Sequence, residues 1–119
     1  MGSLFVQISH DADAGTRAQR GFLVASAAAE AGHAVSVFLA GGAVELLTPE
    51  QLDRDAFGVP LRRHVTGLLD AGGTIFLSEA AMASRGFPLE RLDVRPLVPA
   101  SHTKIVELAF SHDRVLTYG

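Results

Sequence analysis

Residues 74–87 read TIFLSEAAMASRGF, and how this stretch is read decides the fold. Thr74 to Ser78 is an apolar run of strand length. Glu79 to Ser84 is a short helix closed by Gly86, with Phe87 and Pro88 just beyond it, where residues following a helix stop belong. A buried strand that runs straight into the first turn of a helix is one half of a parallel β/α unit. Ser78 stands at the junction, a place where α/β proteins put nucleophiles or bind anions.

Working outward, the same alternation recurs. LLDAGG (68–73) closes a helix that VPLRRHVTGLLD (59–70) builds, with Leu61, Val65, Leu68 and Leu69 on one face and Arg62 and Arg63 off it. Before it, TPEQ (48–51) has the capping-box form, with Thr48 at the N-cap and Pro49 at the first helical position. AVSVFLAGG (34–42) is a β-branched, nearly continuous apolar run, the pattern of a parallel strand covered on both faces. From about Gly15 to Ala31, Ala18, Phe22, Ala25 and Ala29 recur at helical spacing, and Gly32 is placed to stop that helix. SLFVQISH (3–10) opens the chain as a strand, which DADAGT (11–16) ends with turn and cap residues.

Downstream, LDVRPLVP (92–99) is expected to be extended, because Pro96 and Pro99 bias their predecessors that way. Ser101 caps a last helix through Phe110 with Ile105, Leu108 and Ala109 inward, and RVLTYG (114–119) is a final strand. The order β α β α β α β α β predicts one α/β domain over 1–119. Its architecture is a three-layer sandwich, with a mostly parallel five-stranded sheet and helices on both faces.

Ten Lys and Arg against thirteen Asp and Glu give a net charge of −3, so no basic footprint for nucleic acid or an anionic membrane is present. No apolar run approaches the roughly eighteen residues that span a bilayer. The apolar run after Arg17 and Arg20 starts too late for a signal peptide and has Glu30 close behind it. The absence of cysteine excludes disulfides, thiolate metal sites and thiol chemistry by this chain, and fits a cytoplasmic location. With 48% hydrophobic and only 19% charged residues, part of the apolar surplus is expected in a subunit interface.

Ligands of parallel sheets gather beyond the carboxyl ends of the strands. That rim collects His10, Asp11, Gly41, Gly42, Ser78 and Glu79, the candidate ligand-binding residues. Ser78 has two readings, a helix cap or an anion-binding group. As a nucleophile its hydroxyl would need an adjacent base, for which His10, able to titrate near neutral pH, is the candidate. Asp11 and Asp13 suit a turn better than a metal site, since no helical i, i+4 ligand pair supports them. No metal and no cofactor are expected. Gly41 and Gly42 match no phosphate-binding motif. Glu79 suits the positive end of the helix dipole. Arg85 can hold an anion or cap the last carbonyls of its helix. His33, His64, His102 and His112 stand singly and read as surface or interface residues.

The segments LFVQIS (4–9), 17–47, 68–87 and VLTYG (115–119) resemble the DsrE/DsrF-like family of small sulfur-relay proteins, AGHAVSVFLAGGAVELL (31–47) and Met82 to Gly86 most specifically. The resemblance implies the fold, an oligomer (commonly a trimer or hexamer) and a rim pocket near Ser78. In sulfur-carrying members a cysteine ends the third strand; that position falls on Ser78, and a second one on Ala81. Neither residue can hold a persulfide, so the catalytic role does not carry over. The family also includes subunits without the cysteine that assemble with sulfur-carrying partners. Three readings follow: a non-catalytic oligomer binding a small, anionic ligand; a non-catalytic subunit of a hetero-oligomeric relay; and, last, an enzyme using Ser78 and His10.

Overall fold

The computed structural model describes residues 1–9 and 16–119. Strand β1 (Ser3–Ile8) is followed by helix α1 (Thr16–Glu30) and strand β2 (Ala34–Leu39). A 3₁₀ segment, Gly41–Leu47, leads into the short helix α2 (Pro49–Leu52) and a two-residue hairpin of β3 (Asp55–Ala56) and β4 (Val59–Pro60). Then come α3 (Leu61–Asp70), β5 (Thr74–Ser78), α4 (Glu79–Ser84), β6 (Val98–Ala100), α5 (Thr103–Ser111) and β7 (Arg114–Tyr118). The main sheet has five strands in the order β6-β5-β2-β1-β7, and every neighbouring pair is parallel.

This order dictates where the helices lie. Chain direction across the sheet runs one way from β1 through β2 and β5 to β6, and right-handed crossovers put α1, α3 and α4 on one face. The last connection travels back across the sheet to β7, so the same handedness puts α5 on the opposite face. The core divides accordingly. Val6, Ile8, Val37, Leu39, Ile75 and Leu77 turn into the larger cluster with Phe22 of α1 and Leu61, Val65 and Leu68 of α3, all with 0% exposure. Phe5 and Phe38 turn the other way and meet Leu108 of α5, with Ile105 and Ala109 packed alongside. Alternation along each strand therefore feeds two cores of unequal size.

The sequence expectations hold for the strands and for the buried faces of α1 and α3, and the differences are local. The apolar piece before Thr48 winds as 3₁₀. Thr48 caps α2 as expected: its Oγ1 accepts from the Gln51 N–H at 3.4 Å. The β3–β4 hairpin was not anticipated, because two-residue strands have no periodicity to read. Within 92–99 only the end becomes a strand. The rest follows an irregular path held by the Arg95 guanidinium, which donates to the carbonyls of Leu92, Val94 and Leu89 at 2.9, 2.7 and 3.3 Å. Ser101 is not the cap of α5; His102 precedes that helix without a side-chain cap bond. The Ser101 hydroxyl instead bonds to that of Thr103 at 2.6 Å.

Arg62 ties the middle of the chain together, meeting Asp53 at 3.3 Å and Asp93 at 2.9 Å. Desolvation works against its charge, but hydrogen bonds to Asp93 and Asp53 outweigh that and raise the guanidinium pKa. No helix among the described residues is long and apolar enough to cross a membrane.

Candidate functional site

Three consecutive strands of the sheet, β1, β2 and β5, end on one rim. The Ala40 N–H donates to the Ile8 carbonyl at 2.9 Å, extending the β1–β2 ladder by one rung. Gly41 then turns the chain with φ +55°, and a Cβ at that position would stand 3.7 Å from the Ser9 carbonyl oxygen. Glycine is used here for its left-handed backbone and leaves the ends of β1 and β2 close together. Gly42 is buried inside the 3₁₀ segment.

Ser78 ends β5 in an extended conformation, φ −68° and ψ 115°, and is the N-cap of α4. Its Oγ accepts a hydrogen bond from the Ala81 N–H at 3.1 Å. Among the described residues no histidine or carboxylate is hydrogen-bonded to that hydroxyl. Glu79 lies exposed in the first turn, where its charge suits the helix dipole. Gly41, Gly42, Ser78 and Glu79 thus stand at the ends of the adjacent strands β2 and β5. His10 and Asp11 lie outside the described residues.

A residue not singled out in the sequence also belongs to this rim. Glu45, on the 3₁₀ segment after β2, meets Arg85 at the C-cap of α4, with Arg85 Nη1 donating to Glu45 Oε2 at 3.0 Å. The pair ties the connection after β2 to the one after β5. The sequence offers Arg85 as an anion holder or a cap for carbonyls; this ion pair is a third use. Nothing in the sequence marks the pairing, because the partners are forty positions apart and lie in two separate segments.

The direction reversal of the sheet falls between β1 and β7, so the crevice favoured in open α/β sheets is next to β1. Ser78 is two strands away from it. A cleft of about 320 Å³ opens at the amino ends of the strands, where His33, Asp113 and Arg114 line it with Gly2 and Ser3. It shares no residue with the rim. There the Gly2 N–H donates to His33 Nδ1 and the Ser3 N–H to Asp113 Oδ2, each at 3.0 Å. These bonds knit the first strand to its neighbours.

The histidines are not all idle surface groups. His112 Nδ1 lies 2.8 Å from the Leu108 carbonyl and Nε2 3.1 Å from Ser36 Oγ, fastening the end of α5 to β2. His64 Nε2 lies 2.8 Å from the Ala56 carbonyl and secures the small hairpin. Among the described residues no group of three or more His, Asp or Glu side chains could hold a metal ion.

A family model described as the DsrE/DsrF-like family matches residues 2–118. Among solved structures the chain is similar to one titled as the crystal structure of the ychN protein from E. coli. The two are 17% identical, with 99% of this chain and 100% of that one covered and a TM-score of 0.83. No curated protein matches the chain.

Proposed function

Since the chain belongs to the DsrE/DsrF-like family and contains no cysteine, we infer that it is a non-catalytic oligomeric member whose rim receives a small anionic ligand. The observation that carries the non-catalytic part is the state of Ser78. Its hydroxyl oxygen accepts from the Ala81 N–H, the role of a helix cap, and among the described residues no base is bonded to it as activation of a nucleophile requires. The anionic preference rests on the start of α4, whose backbone N–H groups and dipole favour negative charge at the end of β5, beside the Gly41 turn that follows β2. Oligomerisation is supported by the exposed apolar residues of α5 and β7. The lack of cysteine agrees with a cytoplasmic protein.

Dialysed protein is expected to show a thermal shift with at least one member of a panel of inorganic anions, nucleotides and sulfur metabolites. A flat response across the panel overturns the ligand-binding reading. Native mass spectrometry of protein gently purified from its own cells reads the assembly at the same time. A homo-oligomer with a defined extra mass supports the reading. A complex with a cysteine-bearing relative replaces it with the second one, a non-catalytic subunit of a sulfur relay, which the same apolar surface favours.

A further inference from the structure

The two edges of the sheet are built differently. β6 is three residues long, and Pro99 at its centre has no N–H to offer, the usual way of blunting an edge. β7 runs five residues without proline, and its single charge, Arg114, is at the start. It is the terminal strand of the sheet, and among the described residues nothing pairs with its outer side. In a parallel ladder alternate residues turn both backbone groups toward the neighbour. The Tyr118 carbonyl accepts from the Ser9 N–H at 3.0 Å, so Arg114, Leu116 and Tyr118 face β1, while Val115 and Thr117 turn their N–H and C=O groups outward. Val115 and Leu116 remain 42% and 41% exposed, whereas Phe5 and Val6, their register partners on β1, are 1% and 0% exposed. On the adjacent α5, Val106 and Phe110 are one turn apart and 57% and 90% exposed.

We propose that β7 pairs antiparallel with β7 of a second copy, about a two-fold axis through Leu116, joining the two sheets into one of ten strands. This rests on the oligomeric reading and gives it a geometry. An open backbone edge is matched by another strand, and this strand matches itself. With the axis at Leu116, Val115 lies opposite Thr117 of the second copy and Thr117 opposite its Val115. The residues whose backbone groups turn outward then form the hydrogen-bonded pairs. Leu116 meets its own equivalent in the intervening non-hydrogen-bonded position. Arg114, the strand's only charge, falls opposite the Tyr118 ring of the second copy rather than another cation. A shift of the axis to Val115 would leave Thr117 without its pair. Such a contact closes on itself, so the assembly has an even number of subunits, which excludes a simple trimer.

The absence of native cysteine makes the test clean, since a single introduced thiol reports one position. In a non-hydrogen-bonded antiparallel pair the Cα atoms are about 4.5 Å apart, within the span of a disulfide. Under mild oxidation Leu116→Cys is expected to form a disulfide-linked dimer roughly tenfold or more faster than Phe110→Cys, because only the former is held in bridging geometry. Thr117→Pro, which removes an outward N–H and no bond to β1, is expected to keep its circular dichroism and lose the two-fold contact in native mass spectrometry. If the wild type is oligomeric but Leu116→Cys cross-links no faster than Phe110→Cys and Thr117→Pro assembles normally, the edge pairing is overturned and the oligomeric reading stands. A monomeric wild type overturns both. Cross-linking of Leu116→Cys in cell extract to a chain of different mass, and not to itself, overturns the choice of a second copy.

Discussion

At Ser78 the relevant energy is that of a cap. The Ser78 hydroxyl accepts from the Ala81 N–H, satisfying one of the N–H groups that a helix start leaves open. Ser78→Ala is expected to lower stability by about 1 kcal/mol, read from urea unfolding midpoints. Ser78→Cys tests the electrostatics of the same point: next to a helix N-terminus the thiol should titrate below about 8.5, the free-cysteine value. An alkylation-rate profile at or above that value would remove the case for an anion-favouring rim. Glu45 and Arg85 are each more than a third exposed, so their ion pair should contribute only about 0.2–1 kcal/mol in a double-mutant cycle. That coupling should shrink as salt is added.

Among the elements, α1 shows how spacing and close approach act together. Ala18, Phe22, Ala25 and Ala29 are all buried, as their three- and four-residue spacing required. Gly21 is less legible. A Cβ there would stand 2.5 Å from Ile8 Cδ1 and 2.6 Å from Cγ1, because α1 lies directly on β1. Gly21→Ala would gain about 1 kcal/mol of helix propensity, yet overpacking of this kind costs typically 1–3 kcal/mol. The variant is therefore expected to be less stable, measured by thermal or urea unfolding. The opposite limit is Phe22→Ala, which removes a fully buried ring and should cost about 3–5 kcal/mol. In α5 the inward face is legible, with Leu108 buried and Ile105 and Ala109 packed beside it, but its attachment through His112 to Ser36 joins residues seventy-six positions apart and is not.

For the molecule as a whole, the unequal layers matter most. Helices α1, α3 and α4 lie on one face of the sheet, and α5 lies on the other, a consequence of the one reversal in strand order. That leaves apolar side chains on α5 and β7 in water, and a partner surface would cover them. If assembly covers them, mass action makes the unfolding temperature rise with protein concentration. Calorimetry over a hundredfold range of concentration is expected to show that rise; a constant midpoint would indicate a monomer under those conditions.

The sequence by itself determined the α/β class, the four parallel strands read from apolar runs, the buried faces of α1 and α3, and the absence of thiol chemistry from this chain. These follow from local periodicity, capping chemistry and composition, which act over a few residues. The tertiary structure alone decided the strand order, the placement of α5 and the exposed edge of β7. It also decided the Glu45–Arg85 and His112–Ser36 contacts. Each depends on which distant segments become neighbours, and chain-crossing geometry fixes that without leaving a local trace in residue spacing.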